Sequence, residues 1–88
     1  MFKNRAGDGR RNLCGAQIAR LRRACSPRMS QRALADRLQL FGVDVDKNAI
    51  QRIESGRRFV TDIELAALAA IFQVSCDALL QPPDQPAP

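Results

Sequence analysis

Apolar residues in this chain recur at the three- and four-residue spacing of helices, in five blocks divided by Pro, Gly, Ser and Asp. In the first, Cys14, Ile18, Leu21 and Cys25 form one stripe, which predicts a helix from about Asn12 to Cys25 with Arg20, Arg22 and Arg23 off the stripe. Ser26-Pro27-Arg28 ends it, because proline cannot continue a helix and restricts the residue before it. The second block, Ser30 to about Leu40, buries Ala33, Leu34 and Leu38 and leaves Gln31, Arg32, Asp36 and Arg37 free. A connector, Phe41–Val45, leads to a short third helix between Asp46 and Gly56, where Ala49, Ile50 and Ile53 share one face. The fourth block, Thr61 to Phe72, is apolar nearly all round, which predicts a central, covered helix. A fifth runs from Ser75 to about Leu80.

The helix ends carry their own signals. Asp46 can accept hydrogen bonds from the first free N–H groups of the third helix, and Gly56 suits the left-handed residue that follows its end. Ser30, Thr61 and Ser75 are N-caps preceded by Met29, Val60 and Val74, each answered by a leucine in the first turns (Leu34, Leu65, Leu79), a hydrophobic staple three times over. Glu64 completes a capping box with Thr61. The expected architecture is all-α with five helices and no strand. Residues 1–11 read as a mobile basic arm, 12–80 as the folded domain and 81–88 as a Pro-rich tail.

Composition narrows the class. Eighty-eight residues, 45% hydrophobic and without Trp or Tyr, allow one small helical domain and no deep cleft. Charge is segregated: residues 1–58 hold all fourteen Lys and Arg against five acids and carry +9, whereas 59–88 carry −4. Such a split turns one end toward a polyanion and the other away from it, beyond what a solvated charged face requires. Cys14, Cys25 and Cys76 are odd in number, far apart and at apolar positions, so all three are expected as buried small hydrophobes in a reducing cytoplasm. Without histidine or a CxxC pair no metal site is expected, and no cofactor either. No signal peptide and no stretch long enough to span a membrane is visible.

The outer face of the third helix carries Lys47, Asn48, Gln51 and Arg52. By itself such a face is more readily a solvated surface than a reading surface. Its amide and guanidinium groups can nevertheless meet base edges: Arg52 fits guanine O6 and N7 as a fork, and Asn48 or Gln51 fits adenine N6 and N7.

Three motifs in order, Ser30-Gln31-Arg32-Ala33-Leu34-Ala35, then Ala49-Ile50-Gln51-Arg52-Ile53-Glu54-Ser55-Gly56, then Val74-Ser75-Cys76-Asp77-Ala78-Leu79-Leu80, resemble the Cro/C1-type (XRE-like) helix-turn-helix repressors over about residues 13–80. The resemblance implies a lambda-repressor-like helix-turn-helix domain that binds double-stranded operator DNA as a homodimer and regulates transcription in a prokaryotic cytoplasm. It implies base contacts from Lys47, Asn48, Gln51 and Arg52. Ser30 and Gln31 would meet the phosphate backbone, where the free N–H groups and positive dipole end of the second helix attract anions. Arg57 and Arg58 would meet the opposite strand, with a plain surface-charge role as the alternative. It further implies that Arg22 pairs with Glu54 and keeps donors for a phosphate. Two departures stand out: the link between Ala35 and Ile50 is longer than the family's common pattern, and Ser26-Pro27-Arg28 lengthens the link between the first two helices.

Two other classes compete. A protein–protein interaction module (transcriptional cofactor or antitoxin-like) could use the same fold through its apolar fourth helix. An enzyme is not expected, since there is no histidine or nucleophile–base pair, and Gly7-Asp8-Gly9 is too short for a phosphate cradle. No small-molecule substrate is evident.

Overall fold

A computed structural model of the chain describes residues 5–82. Four of its helices begin on a side-chain cap. Ser30 Oγ accepts from Ala33 N (2.9 Å) ahead of Gln31–Leu40, and Asp46 Oδ1 from Ala49 N (2.8 Å) ahead of Lys47–Glu54. Thr61 Oγ1 accepts from Glu64 N ahead of Asp62–Phe72, while Glu64 Oε1 accepts from Thr61 N (3.0 Å), the reciprocal box expected from the sequence. Ser75 Oγ accepts from Ala78 N ahead of Cys76–Leu80. Together with the opening helix, Gly15–Ala24, these are α1 (Gly15–Ala24), α2 (Gln31–Leu40), α3 (Lys47–Glu54), α4 (Asp62–Phe72) and α5 (Cys76–Leu80), with no strand among the described residues.

The first helix departs from its expected frame. It starts at Gly15, not Asn12, because the Asn12 side chain takes over the start: Oδ1 accepts from Gly15 N (2.8 Å) while Nδ2 donates to Ile53 O and Arg58 O. The buried face is also turned by about one position. Gly15, Ile18, Ala19 and Arg22 lie inside, with Gln17 beside them, whereas Leu21 and Cys25 are only partly covered. An arginine that the hydropathy pattern assigned to the surface is therefore interior.

Leu34, Leu38, Ile50, Ile53, Ile18, Leu68 and Leu79 form the centre of the core, with Met29, Val43 and Val45 closing it from the loops. The connector between α2 and α3 is folded tightly. Gly42 takes a left-handed φ of 80°, which any side chain would resist, and Val43 N and Gly42 N bond back to Leu38 O and Gln39 O (both 3.0 Å). Val43 and Val45 then point into the core with Asp44 outside between them. The residues that lengthen this link thus add two core side chains.

Three further expectations need correction. α4 is covered on one side only: Ala67, Leu68 and Ala69 are buried, but Ile63 is 71% exposed and Ala66 and Ala70 are open. Of the cysteines only Cys14 is buried; Cys25 is half-buried and Cys76, the first residue of α5, is exposed. The expected basic arm is, over its described part, a turn fastened to the body: Ala6 N bonds Arg10 O (2.7 Å) and Arg11 N bonds Gly56 O (2.9 Å). Lys3 in the arm and residues 83–88 of the expected tail lie outside the described residues.

Candidate nucleic-acid interface

An eight-residue helix is about 12 Å long, which matches the width of a DNA major groove of about 12 Å. In α3 the inner positions Ala49, Ile50 and Ile53 are buried against α2 and α1, and the outer positions Lys47, Asn48, Gln51 and Arg52 are all exposed. These four stand at i, i+1, i+4 and i+5, so the fold presents them as one surface. The ion pairs among the described residues are Arg22–Glu54 and Arg58–Glu64, which leaves Lys47 and Arg52 without a carboxylate partner.

The far end of α3 is locked into the scaffold. Glu54 accepts from Arg22 Nε (2.7 Å), Arg22 Nη2 (2.9 Å) and Gln31 Nε2 (3.0 Å). Arg22 Nη1 donates to Met29 O (3.0 Å), and both members of the ion pair are 7% exposed. This chelate ties α1, the loop before α2, the first residue of α2 and the last of α3 into one unit. The guanidinium is held above its ordinary pKa, chiefly by its hydrogen bonds to Glu54. Arg22, expected at a phosphate, is mainly a strut, and it lines a recess of about 410 Å³ together with Arg28, Ser30 and Gln31. Ser30 caps α2 there through its hydroxyl, and the bond to Glu54 fixes the Gln31 amide.

Just beyond α3, Gly56 turns the chain at φ 79°, and a side chain there would strike Arg10, whose Nη2 donates to Glu54 O (2.8 Å). Arg57 follows, exposed and without an acid partner, where a phosphate contact was expected. Arg58 differs. Its Nη1 and Nη2 donate to Glu64 Oε1 and Oε2 (both 2.9 Å), and Nη1 also reaches Phe59 O. Its guanidinium joins the α3–α4 link to the α4 capping box instead of standing free. The same bonds hold the Glu64 carboxyl below its usual range and Arg58 above its own.

Asn12 and Arg28 were assigned no role by the reading of the sequence, and Arg10 and Arg11 no more than a place in the basic arm. Asn12 is a buried polar residue at an irregular start, which periodicity cannot flag, and the cationic residues sat in stretches without a pattern. Gly15 gave no signal either, yet a Cβ there would overlap Ile53 O, so α1 and α3 touch backbone to backbone at this point.

A helix-turn-helix domain is the class that such a pair, α2 packed across a polar α3, defines. The helix-turn-helix domain family matches residues 14–81, and the chain belongs to that family. No curated protein and no solved structure matches it significantly. Among the described residues no helix is long and apolar enough to cross a membrane.

Proposed function

We propose that the protein is a sequence-specific regulator of transcription of the Cro/C1 type, a repressor that places α3 in the major groove of duplex DNA in a prokaryotic cytoplasm. The observation that carries this is the combination in α3 of an unpaired polar face with a buried, multiply bonded base. A reading helix needs both, since base recognition requires free donors and acceptors held in a fixed register. Lys47, Asn48, Gln51 and Arg52 read bases. Ser30, Gln31 and Arg57 hold the backbone, with Arg22 positioning Gln31 through Glu54. The protein works as a homodimer, with Ile63 (71% exposed) and Leu80 (41% exposed) offering apolar contact on the acidic C-terminal portion.

Selection of bound duplexes from a random pool tests the reading. An enriched, two-fold repeated site with half-sites about one helical turn apart is expected. Arg52→Ala then loses about 1–3 kcal/mol on that site and relaxes one base position. A pool that emerges unselected, with only salt-sensitive uniform binding, overturns it. The alternative, a protein interaction module, is favoured by Leu40 (87% exposed) and Phe41 (53% exposed) at the end of α2, and it predicts no enrichment.

A further inference from the structure

The turn of residues 5–11 has a fixed place. Gly9 N bonds Ala6 O (2.8 Å), Arg10 N bonds Asp8 Oδ1 (3.0 Å), and Arg11 N bonds Gly56 O (2.9 Å). Arg10 passes over Gly56 to Glu54 O, so the turn is anchored on the carbonyls that end α3. Between the turn and the start of the next link lies a recess of about 390 Å³ lined by Arg5, Gly9, Arg11, Gly56 and Arg57. Three cations from two segments of chain converge there, around two glycines that leave the floor open. None has an acid partner among the described residues, and Asp8, the acid of the turn, is directed to its own backbone. Arg11 is steadied by Phe59, whose ring centroid is 5.9 Å from the guanidinium carbon.

Three unpaired arginines at one recess repel one another unless an anion lies among them. The recess lies past the C-terminal end of α3, and the recess of Arg22, Arg28, Ser30 and Gln31 opens beside Glu54 at that same end. A helix whose length equals the groove width brings its ends up to the phosphate strands. We infer that Arg5, Arg11 and Arg57 seat a backbone phosphate of the duplex. The N-terminal turn is then a structured part of the DNA-docking surface, beside the seat at the start of α2. The inference rests on the DNA-binding reading and adds a site to it.

The test is duplex affinity across a range of salt concentrations for the full chain, comparing wild type with Arg5→Gln/Arg11→Gln. The expected result is a salt slope lower by about one, with all duplexes weakened by similar factors and base preference intact. Arg5→Glu is the second variant, because Arg5 is exposed and its side chain bonds no other group among the described residues; it should weaken binding more than Arg5→Gln while melting as wild type does. An unchanged slope in both variants, with Arg52→Ala still altering base preference, overturns the inference and leaves the DNA reading standing. No duplex binding by the wild type overturns both. A wild-type affinity that inorganic phosphate lowers beyond chloride at matched ionic strength, with the excess abolished in the double variant, assigns the recess to free phosphate and also overturns it.

Discussion

Glu54→Ala is the substitution to which both stability and binding should be most sensitive. It removes the acceptor of three hydrogen bonds and leaves the Arg22 guanidinium, 7% exposed, with Met29 O as its remaining partner. Breaking a buried pair by deleting one member costs about 3–5 kcal/mol, against about 1 or less for an exposed pair. A domain of this size holds roughly 5–15 kcal/mol in all, and each 1 kcal/mol moves the melting midpoint by about 4–8 °C. The expected fall is therefore at least about 12 °C, or a clear drop in the urea midpoint at constant m-value. A companion variant separates stability from positioning. Arg22→Met/Glu54→Leu buries no charge and should recover most of the lost stability. It leaves Gln31 without its tether, so operator affinity at fixed salt should stay reduced. A Glu54→Ala midpoint equal to wild type refutes the energetic argument. A double variant that binds as tightly as wild type refutes the positioning role.

Gly15→Ala should lower stability by about 1–3 kcal/mol although alanine is the better helix former by about 1, because the added methyl meets Ile53 O, a backbone atom that cannot yield without parting α1 from α3; chemical denaturation checks it. Burial pushes the Cys14 thiol up to about 11, above the 9.0 of an open thiol, so its contribution is complete below pH 9.0 and is lost as pH rises through that window. Thermal melts should therefore fall off less steeply in Cys14→Ala above pH 9.0 than in wild type. Glu64 works in the opposite sense: its folded pKa lies below 4.5, so its share of stability is present above 4.5 and fades as pH falls beneath it, and Glu64→Gln should flatten that part of the acid limb.

The last four helices and their caps were legible because local chemistry decides them. Ser30, Asp46, Thr61 and Ser75 each bond the N–H three residues on whatever lies around them. The inner and outer faces of α3 were legible for the same reason, since a short helix with two isoleucines has one way to face a core. What was hidden depended on the meeting of distant segments. Periodicity put Arg22 outside; it is interior because Glu54, 32 residues away, supplies an acceptor that replaces water, a pairing that the family resemblance alone had named. Cys76 stayed outside because α5 is only five residues long and Leu79 alone fills its inner side. α4 is as apolar as it read, but nothing among the described residues covers Ile63.

Arg57 and Arg58 show where composition stops being informative. As sequence they are two equal charges after a glycine, and both fit a phosphate strand. In the fold Arg57 is exposed without an acid partner, whereas Arg58 gives two bonds to a carboxylate that is 12% exposed. Arg57→Ala removes a free cation and should lower the salt slope by about one while melting as wild type does. Arg58→Ala strands Glu64 beside the Thr61 cap, and a hydrogen bond to a charged group is worth about 1.5–3 kcal/mol, so its loss should appear first in the melt. Its salt slope should stay near that of wild type, because the charge removed was already matched by Glu64. Equal slopes and equal melts for the two variants would mean that the Arg58–Glu64 contact does not hold in solution.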